Sequence, residues 1–257
     1  MWNFLRPFVD QYDAAIFSMP EFAQQLAAPQ YMVAPSIDPL SDKNKELGAE
    51  CVTTVLEKYG LDPERPIVTQ ISRFDRLKDP VGVVAAYKMA KKRHDCQLVI
   101  AGGGATDDPE GEQVLLEVQR KAESDPDIHV LLLPPFSDLE INALVRGSTV
   151  VVQKSIKEGF GLTVSEALWK RKPVIGGAVG GIKQQIVNGV TGFLVHSPEG
   201  TATRLTQLLG NPELRTRLGE NGYLHVKQNF LLTRHVKDYM LVMLALDHPN
   251  EDIVDLS

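Results

Sequence analysis

Arg73, Arg76 and Lys78 place three cations in six residues, directly ahead of Asp79-Pro80. A guanidinium offers a planar fork that fits phosphate oxygens, and an ammonium adds a mobile point charge. The same cluster is also what a solvated basic turn looks like. The second stretch equipped for chemistry is Ser155-Ile156-Lys157-Glu158-Gly159-Phe160-Gly161-Leu162-Thr163. Its two glycines let a ligand approach the backbone, and a helix begins at once, so free N–H groups and a positive dipole end face one place. That combination suits a diphosphate. Glu158 and Glu166 flank the turn with seven residues between them. A carboxylate is a good acceptor for the vicinal hydroxyls of a ribose or a hexose. Glu166 is also the fourth residue of Thr163-Val164-Ser165-Glu166, which fits a capping box, and on spacing alone that reading leads. Glu158 has no such duty, and it suits sugar hydroxyls better than phosphate.

Short apolar runs alternate with helix-period segments on either side of these loops. The pattern predicts strands over 67–72, 96–102, 128–133, 149–155, 173–177 and 193–196. Between them it predicts helices over 80–93, 111–124, 138–146 and 163–171, with a short one near 181–188. Strands this apolar need cover on both faces, which implies a parallel sheet with helices above and below. Right-handed crossovers make the fold class α/β, a doubly wound, Rossmann-like sheet. Ligands of such sheets bind beyond the carboxyl ends of the strands, where both loops fall. Asp79-Pro80 and Asp108-Pro109 each set a capping carboxylate before a proline at the first helical position, and 137–140 fits a second capping box.

Composition narrows the function classes. Residues are 43% apolar and 23% charged, and 27 Lys+Arg against 33 Asp+Glu give a net charge of −6. That balance argues against a general nucleic-acid binder. Two cysteines exclude a disulfide framework or a Cys-rich zinc module and favour a reducing compartment. No apolar run reaches membrane-span length, and the opening Met1-Trp2-Asn3-Phe4 lacks a basic segment leading an apolar one. The expected location is cytoplasmic, with no membrane partner.

The two ends look unfinished. Residues 1–58 offer strands over 12–17 and 31–34 and helices over 2–9 and 20–26, too little to bury a core, followed by a proline-punctuated linker at 34–39. They read as the trailing edge of a preceding α/β domain, with 59–230 as the Rossmann-like domain and 231–257 as a C-terminal helix and tail. That helix is apolar on more than one face, around 239–246, so it expects a missing partner or a homodimer.

Glu158-Gly159-Phe160-Gly161 followed by Glu166 resembles the E-x7-E signature of retaining glycosyltransferases of the GT4 type, which have the GT-B fold. Ser72-Arg73-Phe74-Asp75 with Lys78-Asp79-Pro80 resembles the partner motif in the first loop of their donor domain. Gly180-Gly181-Ile182 and 189–195 are similar to the blocks that close that domain. Within the family, 101–111, 131–144 and 157–169 look nearest to trehalose glycosyltransferring synthases, and the resemblance runs from about Tyr12 to Leu246. It implies that this chain is the C-terminal, donor-binding half, with 1–58 a remnant of the acceptor domain. It also implies a reaction of NDP-glucose (UDP-, ADP- or GDP-glucose) with glucose as the acceptor, giving trehalose with retained configuration, and an isolated chain that is inactive; the alternatives are a GT4 glycosyltransferase with another acceptor, or a nucleotide-sugar-binding fragment without catalysis of its own. The implied catalytic set is Arg73 and Lys78 on the diphosphate and Glu158 on the transferred glucose. Glu166 would take the ribose. Gly159, Phe160, Gly161, Leu162 and Thr163 would line the donor, and Leu133 and Pro134 would contact the base. No cofactor is implied, the nucleotide sugar being a substrate. Lys183 departs from the proline that many relatives carry there.

Other signals carry less. Asp125-Pro126-Asp127 is formally a D-x-D, but it lies between a helix end and a strand start, opposite the ligand loops, and reads as a turn. Gly102-Gly103-Gly104 lacks a helix start at the dinucleotide offset and reads as a tight turn leaving room for the donor. The six histidines have no metal-ligand spacing, so no metal site is expected. Cys51 and Cys96 read as buried thiols.

Overall fold

The computed structural model describes residues 2–103 and 109–248. The chain begins with α1 (Trp2–Val9), β1 (Ala15–Phe17), a 3-10 turn at Pro20–Phe22, β2 (Gln30–Met32) and α2 (Ala49–Lys58). The alternating part runs β3 (Ile67–Ile71), a 3-10 turn at Arg76–Lys78, α3 (Pro80–Lys91), β4 (Gln97–Gly102), α4 (Pro109–Ala122), β5 (Ile128–Leu132), α5 (Asp138–Gly147) and β6 (Val150–Gln153). It continues with α6 (Leu162–Trp169), β7 (Val174–Gly177), α7 (Ile182–Gln185), β8 (Gly192–Val195), α8 (Pro198–Leu209), α9 (Pro212–Asn229) and α10 (Leu232–Asp247).

The six later strands form one parallel sheet in the order β5-β4-β3-β6-β7-β8, while β1 and β2 pair separately, also in parallel. The predicted α/β doubly wound sheet is therefore present. Neighbouring residues of a strand point to opposite faces, so each strand feeds two cores. Val68, Leu98, Ile100, Val150 and Val152 pack on one side with Tyr87, Val118 and Leu205. Ile67, Val99, Val151 and Val174 pack on the other with Leu56, Leu144, Leu168 and Val226. The chain winds outward from β3 through β4 to β5, returns to β6, and winds the other way to β8. The switch point lies between β3 and β6.

Several local expectations are corrected. The helix expected over 20–26 is only the 3-10 turn, because reciprocal amide bonds between Gln24 and the Gln30 side chain (2.9 and 2.7 Å) pull residue 24 out of helical pairing. The short helix near 181–188 stops at Gln185, and the Val187 N–H donates to Thr191 Oγ1 instead (2.9 Å). Neither capping box forms. Ser137 Oγ donates to the Pro134 carbonyl, and the N-cap of α6 is Gly161 rather than Thr163. The Asp79 cap does form, its carboxylate accepting from Gly82 N–H (3.0 Å), whereas Asp108 lies outside the described residues. Cys96 is buried as expected, its thiol pushed up to about 11 by burial, but Cys51 is exposed on α2. Three helices were not predicted: α2, α8 and α9.

The N-terminal 58 residues are tied to the rest of the chain. Leu56 of α2 packs in the second core beside Leu144 and Val145 of α5. Ile37 pairs with the chain entering α10, its N–H donating to Phe230 O (2.9 Å) and its carbonyl accepting from Leu232 N–H (3.0 Å). Arg234 Nη2 then donates to Ala34 O (2.7 Å). Along α10, Leu232, Val236, Met240, Leu241 and Met243 are exposed and Val242 is buried. Among the described residues, no helix is long and apolar enough to cross a membrane.

Candidate functional site

Because β3 and β6 are adjacent, the loops that follow them lie side by side at the switch point. The Ile156 N–H donates to Leu77 O (2.8 Å), joining the two loops directly. Lys154 and Asp79 form a second link, a nearly buried ion pair. Asp79 therefore caps α3 and anchors the Lys78 backbone at once. Gln70 Nε2 adds a bond to Lys78 O (2.8 Å).

Lys78 and Glu158, eighty residues apart in sequence, are the outcome of that anchoring. Lys78 Nζ lies 2.5 Å from Glu158 Oε2, and Ser155 Oγ donates to the same oxygen at 3.1 Å. Both side chains are largely buried, at 17% and 10% exposure. Arg73 extends from the same rim, 69% exposed, with Asp75 its nearest carboxylate at 3.4 Å. The turn behind Glu158 depends on glycine. Gly161 caps α6 at φ +83°, and Gly180 at φ +46° passes so close to the Glu158 carbonyl that a Cβ there would sit 1.7 Å from its oxygen.

Arg73, Lys78 and Glu158 form the wall shared by two clefts. One, of about 510 Å³, is also lined by Gly102, Gly103, Phe160, Gly161, Leu162 and Thr163, and by Lys43 from the segment before α2. The other, of about 590 Å³, includes Phe22, Lys157 and Gly159. Gly102 and Gly103 line the first cleft, while Gly104 lies outside the described residues. Ser72 Oγ and Gln153 Oε1, at the ends of β3 and β6, are buried without a hydrogen-bond partner among the described residues. Both residues line the first cleft.

Glu166 does not cap α6. Its carboxylate is 6% exposed, and Oε1 lies 3.2 Å from Lys43 Nζ. Beneath it, Lys170 donates to Asn44 Oδ1 (2.9 Å) and to the Glu166 carbonyl (3.1 Å). Burial drives the Lys170 ammonium down to about 7, against the pull of Glu166 and reinforced by Arg146 and Lys43. Leu133 and Pro134 lie past the end of β5, on the same edge of the sheet, but neither lines these two clefts. Leu133 packs in the second core, and the Pro134 carbonyl accepts from Ser137. Asp125 and Asp127 sit at the opposite edge, engaged by Lys91 and Arg65. Lys183 opens toward Glu21 (3.3 Å) in the N-terminal segment. The residues that sequence reasoning missed are Lys43, Ser72, Gln153 and Ser155. Of these, only Ser72 and Ser155 lay within stretches already singled out.

Fold and cleft together define a doubly wound α/β unit with charged loops at its switch point. The chain belongs to the glycosyl transferases group 1 family, whose family pattern matches residues 53–225. It is 44% identical over 243 residues to the trehalose synthase of Thermococcus litoralis, covering 93% of this chain and 59% of that protein. The trehalose synthase of Rubrobacter xylanophilus is 40% identical over 95% of this chain and 59% of its own length. The chain thus spans about three fifths of the curated relatives it matches. Among solved structures, sucrose-phosphate synthase from Thermosynechococcus elongatus superposes with a TM-score of 0.78 at 21% identity, over 95% of this chain and 61% of that one. The Anabaena HepE protein in complex with UDP and glucose gives 0.80 at 14% identity, over 95% and 66%. Over the matched residues, this chain has the fold of those structures.

Proposed function

We propose that this chain supplies the donor site of a retaining glucosyltransferase that moves glucose from a nucleoside diphosphate glucose to glucose, giving trehalose and the nucleoside diphosphate. The observation that carries the reading is the wall made by Arg73, Lys78 and Glu158, two cations and a carboxylate between two clefts at the switch point. The incoming diphosphate takes Lys78 from Glu158, and Arg73 swings from its exposed position onto the same phosphates. Glu158, released, accepts hydroxyls of the glucose. As the glycosidic bond breaks, charge grows on the departing diphosphate. The two cations and the N-terminus of α6 stabilise it more than they stabilise the bound substrate, which lowers the barrier. Glu166 holds the ribose hydroxyls. With Glu158 occupied by the glucose hydroxyls, the acceptor hydroxyl attacks from the face that the diphosphate leaves, and the departing diphosphate takes its proton.

The relatives named trehalose synthase support the glucose acceptor, and the Anabaena neighbour with UDP and glucose supports the donor class. The trehalose phosphorylase of Pleurotus pulmonarius, 34% identical over 64% of this chain, supports a second reading in which phosphate is the acceptor. Incubating the protein with each of UDP-, ADP- and GDP-glucose together with glucose, and separately with trehalose and inorganic phosphate, decides between them. This chain is expected to bind a donor and to transfer glucose negligibly; trehalose and the matching nucleoside diphosphate in equal amounts are expected of a protein of the relatives' full length, of which this chain spans about three fifths. Trehalose consumption that requires inorganic phosphate and no nucleotide would replace this reading with the second.

A further inference from the structure

We infer that Lys43, from the segment before α2, is a positioning residue that sets the Glu166 carboxylate for the ribose of the nucleotide. The inference rests on the donor-site reading of the cleft. It begins with how the backbone around Lys43 is held. The carbonyls of Asp42 and Lys45 accept from Asn142 Nδ2 (2.9 and 2.8 Å), and those of Asn44 and Lys45 accept from Arg146 Nη2 (3.2 and 2.9 Å). Asn142 is fully buried on α5, and the Asn44 side chain accepts from the buried Lys170 of α6. Both neighbours of Lys43 are therefore fixed to the helices that flank the cleft. Lys43 itself makes none of these bonds. Its side chain crosses to the cleft, one third exposed, and ends 3.2 Å from Glu166 Oε1.

Lys43 is the charged side chain against a carboxylate that is almost wholly withdrawn from water; Lys43 lines the cleft together with Leu162 and Thr163, and Glu166 lies directly behind it without lining the cleft itself. Each carboxylate oxygen has two acceptor positions, so Oε1 can hold Lys43 and still accept a hydroxyl. An ammonium on one oxygen stops the carboxylate from rotating, which fixes the direction from which a vicinal diol must approach.

The test uses the full chain, with UDP, ADP and GDP and their 2′-deoxy and 3′-deoxy forms as calorimetric probes. Wild type should prefer the ribo form of the nucleotide it binds. Lys43→Met should bind that nucleotide about tenfold more weakly, as for loss of a charged hydrogen bond, and should lose most of the preference for ribo over deoxy. Lys43→Arg should keep the preference. Lys45→Met removes a charge from the same segment, where Lys45 pairs with Asp42 on the surface, and should change neither quantity. A Lys43→Met protein that keeps the wild-type ribo preference overturns the inference, whatever happens to its melting temperature. If wild type binds a nucleotide without any ribo preference, the role of Glu166 falls and this inference with it. If wild type binds none of the nucleotides, the donor-site reading itself is wrong.

Discussion

Lys78 and Glu158 make each other tolerable: each is largely buried, and each would be an unpaired charge without the other. Replacing Lys78 with alanine should therefore lower both stability and nucleotide affinity, the latter by about 1.5–3 kcal/mol, the range for hydrogen bonds to charged groups. Arg73→Ala should weaken binding with stability little changed, because its side chain is 69% exposed and its ion pair with Asp75 is long, at 3.4 Å. Titration alongside thermal melting checks both. Equal nucleotide affinity in wild type and both variants would remove the diphosphate clamp. Glu166→Gln separates charge from shape. With capping excluded by the Gly161 N-cap, glutamine should keep the melting temperature near wild type and lose nucleotide affinity. A variant that melts early but binds normally would make Glu166 purely structural. Arg73, Lys78 and Glu158 are legible in the sequence because charge beside glycine and a helix start is a local pattern. Lys43 and Gln153 are not, because a linker lysine and a strand-end glutamine acquire meaning only through what the fold places opposite them.

At the scale of elements, glycine and buried lysine do work that propensity does not reveal. Gly180→Ala would add both a left-handed backbone cost of about 1–3 kcal/mol and a collision with the Glu158 carbonyl. It should lower the melting temperature and abolish nucleotide binding by shifting the 158–161 turn, and circular dichroism melts with titration would show it. Normal binding by that variant would mean the turn is not tightly held. Lys170 gives a pH signature. Its proton is lost near pH 7 in the folded chain but only near 10.5 when it is solvated. Between those values the unfolded chain holds a proton that the folded chain has released, so this group makes stability rise with pH across the window. The half-neutral amine still donates to Asn44 and the Glu166 carbonyl. Lys170→Met should flatten the rise between pH 7 and 10 relative to wild type in urea melts, and identical slopes would contradict the assignment. Lys172, also pushed down by burial, acts in the same direction in both proteins. The strands and α3 to α6 are legible because each pairs an apolar run with a clear boundary. The Ser197-Pro198 and Asn211-Pro212 caps of α8 and α9 were equally present and went unread. The buried face of α9 includes Gly219 and Gly222 along with Leu214, Leu218 and Val226, so its stripe is too thin to stand out as apolar.

Across the whole molecule, strand order is what turns two unremarkable loops into one site. The sequence identifies the loops and the parallel sheet, and the switch between β3 and β6 brings Lys78 within 2.5 Å of Glu158. The segment before α2 was legible only as a linker. Its pairing with the start of α10, and its grip by Asn142 and Arg146, depend on contacts about one hundred to two hundred residues apart and leave no periodic trace. The account's central claim is that this assembled wall receives a nucleotide sugar. Calorimetric titration of the full chain with UDP-glucose, ADP-glucose and GDP-glucose tests it most directly. The account predicts saturable binding of at least one of them, at one site per chain, strongly weakened in Lys78→Ala. Saturable heat from none of the three in a folded wild-type chain would contradict it.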